Sequence, residues 1–311
     1  MILIPCRCFD SVMFNYSIII PHYNNVTDLQ RCVDAIPDRD DVQVIIVDDN
    51  SDPAKVDFDY FPGVGRKNTE VVFSKGEKGK GPGYARNVGI DRAQGRWIVF
   101  CDSDDYLLPE AGPSMDEYAN HEADVVFFNC EKQDVEGVRS DYIAVNSLID
   151  ASRKAGKAND IAYGFPCPWG KFIKRDFLLR NGIRFQQITG GDDILFSVRM
   201  AIALKHYALS DTRLYCVVDR PGSLTRNNQW RGFRSYTLAC CEAYKLMEPV
   251  GKGDMAYSWT VAWWGFLWAE NKMKALELIP YVANVMGLNK ALHCFKKVVK
   301  VGAWDWENRE K

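Results

Sequence analysis

The 311-residue chain carries 39 Lys and Arg against 41 Asp and Glu, a net charge of −2, and 47% hydrophobic residues. The near balance excludes the broad positive field of a nucleic-acid-binding surface, and the apolar content excludes disorder as the default state. Ten cysteines without a CxxC pair or regular spacing argue against a zinc site or a disulfide scaffold, and fit reduced thiols in a cytosolic protein.

Residues 1–13 make a short apolar start interrupted by Pro5 and Arg7, too short for a signal peptide or a membrane span. From residue 16 to about 130, short apolar runs alternate with helical segments. Residues 17–20, 42–47, 70–73, 97–100 and 124–128 read as strands. Between the first two, Thr27 and Gln30 have capping-box spacing, and Leu29, Cys32, Val33 and Ile36 share one helical face. Residues 84–93 read as a second helix. Strands that are nearly all apolar and alternate with helices imply a mostly parallel sheet covered on both faces, an α/β fold.

In such sheets ligands bind beyond the carboxyl ends of the strands, and the polar clusters lie there. Pro21, His22, Tyr23 and Asn24 follow the first strand, and Asp48, Asp49, Asn50 and Ser51 follow the second. Asp102, Ser103, Asp104 and Asp105 come after the fourth. Closely spaced carboxylates repel one another unless a cation or hydrogen bonds hold them. A divalent ion carrying a diphosphate is the simplest occupant, while an acidic turn closing a strand is the plain alternative. One such turn decides nothing, but three at separate strand ends suggest a single crevice.

The glycine-rich basic stretch 75–83 reads alone as a solvated loop; neither GxGxxG after a strand nor GxxxxGK[ST] is present. Beyond residue 150 the alternation weakens. Pro166 to Gly170 form a rigid aromatic turn, 174–180 a helix, and 213–218 a strand. Gly190 and Gly191 precede Asp192 and Asp193 at the start of an apolar helical run; one Asp would cap a helix, and two exceed that need. Residues 224–311 read as mainly helical. The cluster Trp259, Trp263, Trp264, Phe266 and Trp268 suits core packing or an acceptor pocket. The lysine-bearing tail 290–306 suits a packed amphipathic helix, or a contact with an anionic membrane surface. The four histidines, His22, His121, His206 and His293, stand in no Ser/His/Asp order, so a hydrolase triad has little support.

Four segments, taken in order, resemble the family-2 inverting glycosyltransferases of GT-A fold, of the kind that build bacterial cell-surface polysaccharides. They are SIIIPHYN from Ser17, IVDDNS from Ile46, ARNVGI from Ala85 and FCDSDD from Phe100; Gly191-Asp192-Asp193 and residues 220–223 extend the likeness to about residue 223. The resemblance implies an N-terminal extension (1–15), a GT-A catalytic domain (16–223) and a helical C-terminal region (224–311) facing the acceptor or a membrane surface. It implies a nucleotide-diphospho-sugar donor, most often a UDP-sugar, held by Pro21, Tyr23, Asn24, Asp49, Arg86, Asp102, Ser103, Arg220 and Ser223. Tyr23 would lie against the base and Asp49 on its edge, with Arg86 and Arg220 on the diphosphate. A divalent metal, Mn²⁺ or Mg²⁺, would be held by Asp104 and Asp102. The family's usual Glu-Asp pair is here Asp192-Asp193, with Asp193 in the position of the catalytic base.

The expected partners are the donor and a glycan or lipid-linked acceptor, with no nucleic acid. The expected location is the cytoplasm, with peripheral contact at the inner membrane face. Two other readings stand beside this one: a nucleotidyltransferase, which would release pyrophosphate, and a non-catalytic sugar-nucleotide-binding scaffold.

Overall fold

The computed structural model describes residues 14–74, 80–156, 159–188, 190–219 and 230–308. Its framework is a nine-stranded sheet, in which β1 (Tyr16–His22) and β2 (Val42–Asp48) are buried along their whole length. With β3 (Thr69–Phe73) and β4 (Trp97–Phe100) they form a parallel half in the order β3-β2-β1-β4. Strands sandwiched between helices need apolar side chains on both faces, which is why Ile18, Ile19, Ile20 and Val44 to Val47 run without a polar interruption. Helix α1 (Val26–Asp34) buries Leu29, Cys32 and Val33. Its cap differs from the expected Thr27 box: the Asn25 side chain accepts from the Asp28 N–H at 3.2 Å, so the helix begins earlier.

Helix α2 (Pro82–Arg92) lies close on the sheet because the face it buries is built from small residues, Gly83, Ala85 and Gly89, with Arg86 and Ile90. A Cβ on Gly89 would stand 2.3 Å from Ile19 Cγ2, and one on Gly83 would stand 2.1 Å from the Gln186 carbonyl oxygen. That closeness is what carries the Arg86 side chain into the interior.

Beyond β4 the expectation of a mostly parallel sheet gives way to a mixed one. The sheet order continues β8-β6-β9-β5, with β5 (Tyr106–Leu107), β6 (Val125–Gln133), β8 (Lys171–Lys174) and β9 (Tyr207–Val218). β8 is antiparallel to both β4 and β6, and β9 is parallel to β6 across an irregularity around Asn129. β7 (Arg139–Asp141) extends β6 as a short hairpin. β8 escapes a sequence reading because four residues are too few to show a period.

Helices α3 (Ala111–Tyr118), α4 (Ile143–Ala155), α5 (Asn159–Gly164), α6 (Arg175–Arg180) and α7 (Asp192–Ala203) connect these strands. The chain then becomes helical: α8 (Trp230–Met247), α9 (Gly253–Glu270), α10 (Lys272–Leu276), α11 (Ile279–Met286) and α12 (Leu288–Asn308). Trp264 is fully buried there, its indole N–H on the Ala275 carbonyl at 2.9 Å. No helix among the described residues is long and apolar enough to cross a membrane.

Because α2 rests on β1 through Gly89, Gly89→Ala is expected to lower unfolding free energy by about 1–3 kcal/mol by overpacking. Urea denaturation monitored by circular dichroism measures the change.

Candidate active site

The first wall of the crevice is made by the turns after β1 and β2, which hydrogen bonds tie together. The His22 ring is buried; its Nε2 accepts from the Asn25 N–H at 3.1 Å, which leaves Nδ1 to donate to Asp48 at 3.3 Å. Asp48 also accepts from the Ser51 N–H at 3.0 Å. Burial works against its charge, but the bonds from His22 and Ser51 hold its carboxyl below the usual range. Asn24 takes a positive φ of 63°, donates its N–H to Ser51 Oγ at 2.8 Å and accepts from the Asp52 N–H at 2.7 Å. Asn and Asp tolerate that left-handed conformation better than other side chains. This stitching leaves Tyr23, two residues after Pro21, 57% exposed at the rim.

Asp49 is buried beside them. Its two carboxylate oxygens accept the Lys80 and Gly81 N–H groups at 2.9 and 2.6 Å, so it anchors the backbone that opens α2. Burial raises its pKa, against the pull of those two bonds. The tail of the glycine-rich stretch thus belongs to the crevice, although residues 75–79 lie outside the described residues.

The acidic turn after β4 is divided by its partners. Asp105 points inward: Tyr215 Oη donates to it at 2.8 Å and the Val218 N–H at 2.8 Å, and burial pushes its pKa well up. The same tyrosine hydroxyl accepts the Asp102 N–H at 3.0 Å, and the Arg31 guanidinium donates to the Asp104 carbonyl at 2.5 Å. Asp102, Ser103 and Asp104 stay partly exposed. Tyr215 and Arg31 have no signal in the sequence, since each contributes one hydroxyl or guanidinium from a remote element.

Arg86 crosses between the turns. One terminal nitrogen donates to Asp192 Oδ2 at 2.7 Å and the other to Asp102 Oδ1 at 2.6 Å. Its Nε has no partner among the described residues, and the guanidinium faces the Phe185 ring at 5.3 Å. Burial alone would lower its pKa, but the two carboxylates hold it protonated. Asp192 is buried, and its pKa is raised by that burial against the pull of Arg86. Asp193, next in the first turn of α7, is only half-buried, and desolvation together with the Asp192 charge pushes its pKa up to about 7. The structure therefore brings Arg86, Asp102 and Asp192 into direct contact, with Asp193 beside them. Asp49 is joined to this group through α2, and Pro21, Tyr23 and Asn24 stand at the neighbouring strand end. Arg220 and Ser223 lie outside the described residues.

No cluster of three or more metal-ligating side chains occurs among the described residues. The donor set nonetheless suits an ion that arrives with its own phosphate ligands. Such ions use one or two carboxylates plus phosphate oxygens and water, and Asp102 and Asp104 are both partly exposed.

The strand ends of the parallel half-sheet thus assemble acids, an arginine and an exposed tyrosine, at the position where open α/β sheets bind ligands. The sequence profile described as "Glycosyl transferase family 2" matches residues 17–179, more than half of the chain. The chain belongs to that family.

Among relatives, it is 28% identical over 218 residues to the poly(ribitol-phosphate) beta-glucosyltransferase of Bacillus spizizenii, covering 66% of this chain and 32% of that protein. It is 27% identical over 238 residues to the GalNAc(5)-diNAcBac-PP-undecaprenol beta-1,3-glucosyltransferase of Campylobacter jejuni, covering 75% of this chain and 74% of that protein. The chain spans only about a third of the ribitol-phosphate transferases it matches, 32% and 36% of their lengths. Staphylococcus aureus TarS 1-349 in complex with UDP-GlcNAc superposes with a TM-score of 0.67 at 18% identity, covering 93% of this chain and 89% of that one. The mannosyltransferase PcManGT of Pyrobaculum calidifontis, in complex with GDP-Man and Mn2+, gives 0.53 at 17%, covering 94% and 87%. The fold is GT-A.

Arg86→Met is expected to cost about 3 kcal/mol, because it strands the buried Asp192 carboxylate and removes the partner of the partly exposed Asp102. Adding Asp192→Asn to that variant is expected to restore part of the loss, and a double-mutant cycle by urea denaturation measures the coupling.

Proposed function

We propose that this chain transfers a sugar from a UDP-sugar to a hydroxyl of a glycan or lipid-linked acceptor, with inversion at the anomeric carbon. The observation that carries the reading is Asp193: a half-buried carboxyl whose pKa is lifted to about 7, next to the Arg86 bridge that ties its helix to Asp102. A general base works best with a pKa near the working pH.

The exposed Tyr23 ring suits stacking on the nucleobase. Asp49 has lone pairs left beyond its bonds to Lys80 and Gly81, enough to accept one imide N–H from uracil. Asp104 and Asp102 would hold a divalent cation, which when bound supplies charge stabilisation for the departing diphosphate. With both terminal nitrogens committed to carboxylates, Arg86 serves better as a bridge between donor and base turns than as a free diphosphate clamp. Asp192 then sets that bridge, and Asp193 takes the acceptor proton as the hydroxyl attacks opposite the leaving group. Metal dependence and a UDP donor have support from relatives' complexes with Mn2+ and with UDP-GlcNAc. A nucleotidyltransferase has no comparable support, and a scaffold would not need a carboxyl tuned for proton transfer.

The C-terminal helices supply a membrane-facing element in this reading. Leu288, Leu292 and Val299 are exposed and share one face of α12, flanked by exposed Lys296 and Lys300. Sedimentation with vesicles of phosphatidylglycerol, but not of phosphatidylcholine, is the expected outcome; equal recovery in both supernatants would remove the membrane contact from the proposal.

The deciding experiment screens UDP-glucose, UDP-GlcNAc and GDP-mannose with Mn2+ by thermal shift, and then measures release of the nucleoside diphosphate. Asp193→Asn should cut turnover by about 10²-fold or more, the lower range for a positioned general base. Asp104→Ala should abolish the metal-linked shift. In the parent chain kcat should rise as pH increases through about 7, because Asp193 must lose its proton to act. Release of pyrophosphate instead, or turnover indifferent to Asp193, would defeat the reading.

A further inference from the structure

Lys171 opens β8 and is fully buried, yet among the described residues no carboxylate pairs with it. A buried ammonium without a counter-ion is costly unless its hydrogens are satisfied. Its Nζ donates to the Cys167 carbonyl at 2.5 Å and the Trp169 carbonyl at 3.4 Å, and faces the Phe165 ring at 3.3 Å from its centroid. All three partners belong to one turn, residues 165–170. The next residue, Gly170, has a φ of 68°, and a Cβ there would meet Cys130 Sγ at 2.8 Å and Phe165 Cζ at 3.0 Å, so the turn is tightly enclosed.

That turn touches both sides of the candidate site. The Ser197 hydroxyl, one helical turn along α7 from Asp193, donates to the Pro166 carbonyl at 2.5 Å. Trp169 stacks on Tyr215 with centroids 5.1 Å apart and planes 1° from parallel. The Tyr215 hydroxyl in turn holds the Asp102 N–H and the Asp105 carboxyl. One buried amine therefore gathers the carbonyls of the segment lying between the base helix and the acidic turn.

We propose that Lys171 is a positioning residue for sugar transfer: it fixes the turn at residues 165–170, which sets Asp193 relative to the Asp102–Asp105 turn. The inference rests on the reading of Asp193 as the base. Burial pulls the Lys171 pKa down to about 7, with Cys167, Cys130 and Asp193 pulling the other way. Asp193 itself answers to Asp192, Arg86 and Asp102. Ammonium and amine thus coexist near neutrality, and each keeps at least two N–H donors for the two carbonyls, so the fixing role survives loss of the proton. A hydrophobic isostere fills the space but leaves both carbonyls without a donor.

The test uses the full chain with Mn2+ and whichever UDP-sugar gives the largest thermal shift, reading UDP release with water as acceptor. Lys171→Met is expected to lower kcat about tenfold or more, a fraction of what a positioned base contributes, while donor KM and the UDP-dependent thermal shift stay near the parent's. Lys171→Gln, whose amide can donate to one or both carbonyls, should recover part of kcat. Ser197→Ala cuts the tie between the turn and α7 from the other side, leaves the amine in place, and should lower kcat in the same pattern even if neither lysine variant folds. Parental kcat in a folded Lys171→Met, or in Ser197→Ala, overturns the proposal. So does a loss of kcat matched by an equal loss of UDP binding, which marks general damage to the fold. Asp193→Asn run in parallel separates the two levels. If it is inactive while the Lys171 and Ser197 variants match the parent, only this inference falls; if it is fully active, the functional reading falls and takes this one with it.

Discussion

A single buried guanidinium organises this protein's crevice. Arg86 joins Asp102, at the end of β4, to Asp192, at the start of α7, through bonds of 2.6 and 2.7 Å. The buried Asp192 carboxylate could not be desolvated at that spot alone, and an arginine between two acids is favourable because its planar fork serves both. The arrangement needs α2 pressed close on the sheet, which Gly89 allows, and close to Gln186 and Asp192, which Gly83 allows. Packing of small residues and the electrostatics of the site are thus one constraint seen from two sides.

From that bridge follows a division of labour among chemically identical side chains. Asp48 is held low by His22 and Ser51 and serves to lock two turns. Asp105 is turned inward and held high by burial, with Tyr215 and Val218 as its partners. Asp192 is spent on Arg86, while Asp193, one residue on and partly buried, carries a pKa raised to about 7 by desolvation and the Asp192 charge. Environment, not residue type, assigns these states. A crevice so built keeps neighbouring carboxyls in different charge states, each set by its own partners.

The lower half of the sheet does a different task. Its antiparallel strands β8 and β6 bring the turn at residues 165–170 against α7 and against Tyr215, so α7 and the acidic turn share a wall. Lys171 lies at the centre of that wall, satisfied by carbonyls and a ring in place of a counter-ion. The rigidity of the site therefore comes as much from hydrogen bonds to backbone as from ion pairs.

By itself the sequence determined the parallel half: unbroken apolar runs at β1, β2 and β4 dictate buried strands, and the polar clusters that follow them mark the strand ends that form the crevice. It also singled out the acids of the crevice and the paired aspartates at the start of α7. Local pattern suffices there, because burial on both faces and helix capping act over a few neighbouring residues. Only the tertiary structure decided which acid does what. The Arg86 to Asp192 bond spans 106 residues and the Asp102 to Tyr215 bond spans 113, and no periodicity encodes a contact at that separation. The reversal at β8, the inward turn of Asp105 and the buried Lys171 share that cause, since each depends on what long-range folding sets beside a side chain, and only that neighbourhood fixes its charge.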